Sequence, residues 1–323
     1  MRCHSLISSL LCGACFAFAA AADAGTLIPV PPVAGAASTS IFDVNDNLEI
    51  SGMYKDGDGV EHGFFGTLGG DYTLFDYPGE TGTEARSINN AGYVLGFAPD
   101  DTFAAGPEFL RKPDGTIITI LKDGVPLSGI AQGLAPHQVS TGDYVVTDLS
   151  HKAGYRGKNG KYKADVVLGV PTTRVAPRDI TPHGAIAGFF NDGTGTHGFI
   201  LKHGVTQVID ADASGTTALE GLSDRGILSG QVQDGSGNSH AFTLDTDTST
   251  ITWIDVPGST NQQAWGINRQ GFVAVSSDNG SYIYCPLKPS RCPSGGTAVH
   301  ARTTRLTAQH TEARPQHATP LAR

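Results

Sequence analysis

The chain has 323 residues, of which 39% are hydrophobic and 16% charged, with 42 glycines and a formal net charge of −9. The apolar fraction argues against a disordered chain. Glycine at about twice its usual ~7%, with no long apolar stretch of 3.6-residue period, argues against a helical bundle and for many short strands joined by tight turns.

Residues 1–24 read as a targeting segment. Arg2 supplies the charged start, Leu6 to Ala22 the apolar stretch, and Ala22-Asp23-Ala24 the small residues at a peptidase site, so a signal peptide cleaved after Ala24 is expected. Cys12 and Cys15 lie inside the apolar run without the triplet of a lipoprotein. Cleavage leaves Cys285 and Cys292, either two surface thiols or, as expected in an oxidising compartment, a disulfide closing a local loop. The protein is expected to be secreted or periplasmic. No other apolar run approaches the ~18 residues of a membrane helix.

From residue 25 a phrase recurs about every 44 residues. Copies read Ser87-Ile88-Asn89-Asn90-Ala91-Gly92-Tyr93-Val94-Leu95-Gly96, Asp179-Ile180-Thr181-Pro182-His183-Gly184-Ala185-Ile186-Ala187-Gly188 and Gly221-Leu222-Ser223-Asp224-Arg225-Gly226-Ile227-Leu228-Ser229-Gly230. Marker residues fall at Gly52, Gly96, Gly188, Gly230 and, in the last copy, Val275. The one double gap places a degraded unit around Gly142-Asp143-Tyr144-Val145-Val146, which makes six units. Within a unit, Asp-Gly and Asn-Gly turns between short apolar runs predict about four antiparallel strands. Four-stranded units of this length cannot bury their own faces, which predicts an all-β, six-bladed β-propeller-like ring over residues 25–294. An open solenoid is the alternative.

The last unit runs out after about three strands. Thr26-Leu27-Ile28-Pro29-Val30-Pro31 resembles the final strand Thr252-Trp253-Ile254-Asp255-Val256-Pro257. Residues 26–31 are therefore expected to complete the sixth blade and close the ring. Residues 295–323 lack periodic apolar residues and read as a disordered tail. Without leader and tail, 17 basic stand against 29 acidic residues, or −12. This acidic body argues against nucleic acid and anionic membrane as partners, and a monomer is expected.

His62, His197 and His240 recur at one position of the repeat. Equivalent positions on different blades stay apart, so these are read as fasteners within each blade and no metal site is assigned. The turns at 56–59, 192–195 and 234–238 could be calcium loops, but they offer one or two carboxylates each, and hairpin chemistry explains them without a cofactor. The basic, aromatic stretch containing Tyr155, Arg156 and Tyr162 lies where the repeat decays, and these three are the candidate binding residues. No catalytic residue is selected: nucleophile elbow, phosphate loop and His-Glu-x-x-His are absent.

The His-Ala-Phe and His-Gly-Phe segments, set after x-Ile-x-Gly and before Asp-x-Pro-Gly, resemble the HAF repeat family of extracellular bacterial proteins. The resemblance spans roughly residues 26–290, is clearest at His62, His197 and His240, and is nearly lost over 133–177. It implies export and a propeller-like architecture, with no activity attached. The composite expectation is a non-enzymatic binding or scaffold propeller for a glycan, peptide or envelope component. The alternative is a lyase or hydrolase of extracellular polymer with carboxylates at the axial mouth.

Overall fold

The computed structural model describes residues 25–99, 106–135, 143–148, 154–158, 161–212, 216–299, 302–306 and 312–313. The leader and its cleavage point at Ala24 lie outside them, as do the side chains of Tyr155 and Arg156. The described chain is nearly all strand, arranged as six antiparallel sheets that form the blades of a propeller.

Blade 1 comprises Ser38–Val44, Glu49–Lys55, Glu61–Thr67 and Tyr72–Phe75, and blade 2 comprises Glu84–Ile88, Val94–Phe97, Glu108–Arg111 and Ile117–Thr119. The degraded repeat is blade 3, with Gly129–Leu134, Asp143–Asp148, Gly154–Lys158 and Lys161–Asp165. Blade 4 comprises Arg174–Ile180, Ile186–Asn191, Thr196–Lys202 and Val205–Ile209. Blade 5 comprises Thr216–Leu222, Ile227–Gln233, Ser239–Asp245 and Thr250–Ile254. Blade 6 is built from Gln262–Ile267, Val273–Ser277 and Gly280–Cys285, completed by Thr26–Pro29.

Hydrophobic clusters fill the seams between blades rather than the blades themselves. A twisted four-stranded sheet is apolar on both faces only if neighbours cover both, and the ring supplies them. The repeated phrase marks where each first strand turns into its second. Its marker glycine lets those strands approach: a Cβ at Gly52 would lie 2.1 Å from the Ser40 carbonyl oxygen, and one at Gly230 2.3 Å from that of Ala218.

Closure follows the expected route. Thr26–Pro29 pairs antiparallel with Gly280–Cys285, Ile28 opposite Ile283 and Leu27 opposite Tyr284. The side chains alternate between two seams. Leu27 packs into the blade 5–6 cluster and Ile28 into the blade 6–1 cluster. Cys285 and Cys292 form the disulfide.

The tail departs from expectation. Its described parts include three short paired strands: Thr297–Ala298 pairs with Thr26–Leu27, Thr303–Arg305 with Thr250–Thr252, and Glu312–Ala313 with Thr206–Gln207. It thus adds a fifth strand to blades 6, 5 and 4 in turn. Backbone pairing with an exposed edge needs no apolar periodicity, which is why composition missed it. Side chains add to it at Trp253, whose Nε1 donates to Thr304 Oγ1 at 3.0 Å beneath the Arg302 guanidinium. Blade 3 gains its extra strands differently, from the hairpin Leu121–Lys122 and Val125–Pro126 beside Lys161–Asp165.

Leu27 and Ile28 are 2% and 4% exposed. Replacing either with alanine is expected to cost about 2–5 kcal/mol, as for other buried large-to-small changes, read as a shift in urea midpoint. A loss below about 0.5 kcal/mol for both would mean that the clasp does not hold the ring.

Candidate functional site

Each first strand carries a one-residue bulge near the axis, at Phe42, Arg86, Gln132, Arg178, Glu220 and in the Trp265-Gly266 pair. A bulge turns a side chain out of the pleat, and here these residues converge on the axis from all six blades. Arg86 Nε lies 2.8 Å from Glu84 Oε2, with its guanidinium 4.1 Å above the Phe42 ring. Arg178 Nε lies 3.1 Å from Glu220 Oε2, and Gln231 donates to the other Glu220 oxygen at 3.0 Å. The plug leaves a void of about 20 Å³, room for roughly one water.

Beneath the plug, Asp43 and Asp179 stitch neighbouring blades. Asp43 accepts from Ser87 Oγ at 2.5 Å and from the Ile88 amide at 3.0 Å, and Ser87 Oγ in turn accepts from the Leu134 amide at 3.1 Å. Asp179 accepts from the Leu222 amide at 2.7 Å. Asp43 keeps some accessible area, but six blades enclose it. Burial pushes its pKa up to about 6 against the pull of the Ser87, Ile88 and Val44 donors. Burial, then the charge of Asp43, holds Asp179 well above the carboxylate range. Glu108 is raised by burial too, and neither of its carboxyl oxygens has a partner among the described residues.

The side of the ring that carries the turns between first and second strands is organised by one residue of the phrase. In blades 1, 2 and 6 it is asparagine. Asn45, Asn89 and Asn268 each use Oδ1 to accept two amides of their own turn. The amide nitrogen reaches the next blade: Asn268 Nδ2 donates to the Asn45 carbonyl at 3.0 Å, and Asn45 Nδ2 to the Asn89 carbonyl at 3.1 Å. Asp46 and Asn90 add two bonds of 2.8 Å between the turns of blades 1 and 2. The seams between blades 6 and 1 and between 1 and 2 are thereby zipped.

In blades 3, 4 and 5 the same position is Ala135, Thr181 and Ser223. The Thr181 and Ser223 hydroxyls still accept the turn amides of Ala185 and Ile227, at 3.1 and 3.0 Å, but have no second arm. Four residues on, where Tyr93, Ile227 and Phe272 supply bulk, blade 4 has Ala185. With neither arm nor filler, the seam between blades 4 and 5 opens into a groove of about 680 Å³, within the range of small-molecule sites. Ile200, Val205 and Leu222 give apolar wall, while His183, Lys202, His203 and Gln207 give polar groups. A smaller groove of about 330 Å³ lies between blades 3 and 4, so that His183 and His203 line both.

Of the expected site residues, His62, His197, His240 and Tyr162 lie elsewhere. His62 Nδ1 is 2.8 Å from Asp76 Oδ1, His197 Nδ1 is 2.8 Å from Asp210 Oδ1, and His240 Nε2 is 3.0 Å from Asp234 Oδ2. Each contact stays within its own blade. Burial would lower the His62 pKa, but the hydrogen bonds and charges of Asp76 and Asp56 outweigh it and leave it raised. Tyr162 donates to Asp165 Oδ1 at 2.9 Å, with the Lys122 ammonium of the inserted hairpin 4.6 Å above its ring. No group of three or more His, Cys, Asp or Glu side chains that could hold a metal ion occurs among the described residues, and none of their helices is long and apolar enough to cross a membrane. The groove's trace in the sequence is a loss, Asn to Thr181, rather than a residue that the phrase keeps. The axial plug had a signal in five blades: Phe42, Arg86, Arg178, Glu220 and Trp265 each stand ten positions before the marker.

Asp43, Asp179 and Glu108 bind protons more tightly folded than unfolded, so their contribution to stability is complete below the unfolded carboxylate range. It is lost as pH rises through about 6 at Asp43. The half-buried Asp234 and the exposed Asp278 are shifted the other way, and their contribution is lost only as pH falls below the unfolded range. The urea midpoint should therefore fall between about pH 4.5 and 7.5, with a shallower fall in Asp43→Asn. A midpoint that rises across that interval contradicts the assignment.

No protein-family model matches the chain, and no curated protein matches it. Among solved structures it is similar to the fucose-specific lectin from Aleuria aurantia, at 11% identity and TM-score 0.50, over 87% of this chain and 99% of the lectin. It is also similar to the catalytically inactive virginiamycin B lyase from Staphylococcus aureus, at 12% identity and TM-score 0.48, over 81% and 99%. TolB from Acinetobacter baumannii matches at 12% identity and TM-score 0.48, over 76% of this chain and 65% of TolB. At such identities the likeness is one of fold.

Proposed function

We propose that this chain is an exported, non-enzymatic binding propeller that takes part of a glycan or peptide, from an extracellular or envelope component, into the open seam between blades 4 and 5. The observation that carries the reading is the seam itself. Two departures from the repeat, Thr181 for asparagine and Ala185 for a bulky residue, coincide at the groove of about 680 Å³. Local rules broken in an otherwise consistent frame are where function is to be sought. The apolar wall suits the face of a sugar ring or a side chain, and the imidazoles and ammonium suit its polar groups. The axial carboxylates favour the alternative reading of a polymer lyase or hydrolase less, because a void of about 20 Å³ leaves no room for a substrate. Export draws support from the leader pattern, the Cys285–Cys292 disulfide and the resemblance to HAF repeat proteins.

The test is to close the seam with the protein's own solution. Thr181→Asn supplies an amide that can reach the Ser223 carbonyl, as Asn45 reaches that of Asn89, and Ala185→Tyr copies the filler at Tyr93. A glycan and peptide screen of the wild type should yield a ligand whose affinity falls about tenfold or more in the double variant, while the melting temperature holds or rises. A ligand bound equally well by a folded double variant would remove the seam as the site.

A further inference from the structure

Among the described residues, four of the six blades carry extra strands on their outer edges and two do not. The inserted hairpin covers blade 3, and the C-terminal segment covers blades 4, 5 and 6. All four covers are short extended pieces joined through main-chain pairing, so these edges accept extended chain with little demand on its sequence. Blade 1 ends at Tyr72–Phe75 and blade 2 at Ile117–Thr119, with no strand beyond them among the described residues.

Neither bare strand has the lysine, proline or bulge by which proteins blunt an edge. Tyr72–Phe75 is the more open: Thr73 and Leu74 are exposed, and Leu74, although apolar, is 48% exposed. Its surroundings set a sign. Exposed Asp71 and Asp76 bracket the strand, and residues 38–78 hold one Lys or Arg against eight Asp and Glu, or −7. The chain that covers the edges of blades 6 and 5, residues 297–306, has the opposite character, with two arginines and no acid.

We infer that the outer edge of blade 1 is a strand-addition site for an extended, basic segment of a partner protein. Opposite charge steers the segment to Asp71 and Asp76, and pairing with the free backbone of Tyr72–Phe75 holds it. This surface lies at the rim of blade 1, away from the seam between blades 4 and 5, and stands or falls without it.

A labelled peptide with the sequence of residues 297–306 is the probe, titrated into the full chain by fluorescence anisotropy. Saturable binding is expected, weakened about tenfold or more by Leu74→Lys and by Asp71→Lys, and weakened by added salt. The same peptide with Arg302→Glu and Arg305→Glu should also bind about tenfold more weakly. Both substituted residues of the protein are exposed, and melting curves show which variants remain folded, so either one alone decides the matter. Absence of binding overturns the proposal. So does equal binding by folded variants, since the peptide would then be exchanging with the chain's own strands on blades 5 and 6. A wild type that dimerises, and that Leu74→Lys makes monomeric, also overturns it by assigning the edge to a second copy.

Discussion

A ring of six sheets differs from an open stack by one contact, the one that joins the last blade to the first. Here four residues carry it. Thr26–Pro29 completes blade 6, and because its side chains alternate, Leu27 enters one seam and Ile28 the next. Two of the six seams therefore depend on a strand that is remote in sequence from the blade it finishes. The strand is covered in turn by Thr297–Ala298, so it lies inside its sheet rather than at the rim. The disulfide between Cys285 and Cys292 ties the start of that covering segment to the strand that Thr26–Pro29 pairs with.

The axis follows from closure. Six first strands brought side by side around a line leave little space between them, and the bulges decide what fills it. Replacing the charged plug with well-packed apolar residues would cost little, because a buried ion pair adds little net stability after desolvation. Removing one partner alone, Glu220 from Arg178 for example, would leave a buried charge exposed to that penalty. The plug therefore constrains itself: its members can change together but hardly singly. The Asp43 and Asp179 carboxylates below it bond across blades, so the inner ring is held by side chains as well as by packing.

The frame was legible in the chain because it repeats. The period placed six blades, and the unfinished last copy together with Thr26–Pro29 placed the clasp. What escaped did not repeat or was too short to show a period. The paired pieces of the tail are two or three residues each, which backbone pairing can order but composition cannot announce. Phe42, Arg86, Gln132, Arg178, Glu220 and Trp265 share a position but no single side-chain type, so they leave no repeated residue in the chain. Glu108 shows the same limit. Opposite the marker Gly96 stands Phe109, as Phe64 stands opposite Gly52, which puts Glu108 where blades 1, 4 and 5 have Gly63, Gly198 and Ala241. Nothing local in the chain indicates that this carboxyl is buried.

The turn residue of the phrase shows how such a frame can change without failing. An asparagine there does two things: its oxygen satisfies two amides of its own turn, and its nitrogen bonds the next blade. A threonine or serine keeps the first task in part and drops the second. The blade can still form its turn, because the groups that fold it remain satisfied, while the seam loses a bond and gains space. Folding and opening are thus assigned to different atoms of one side chain. Losing the second arm costs a blade little, and where the filler is lost with it, at Thr181 and Ala185, a cleft opens between two blades while the ring stays closed.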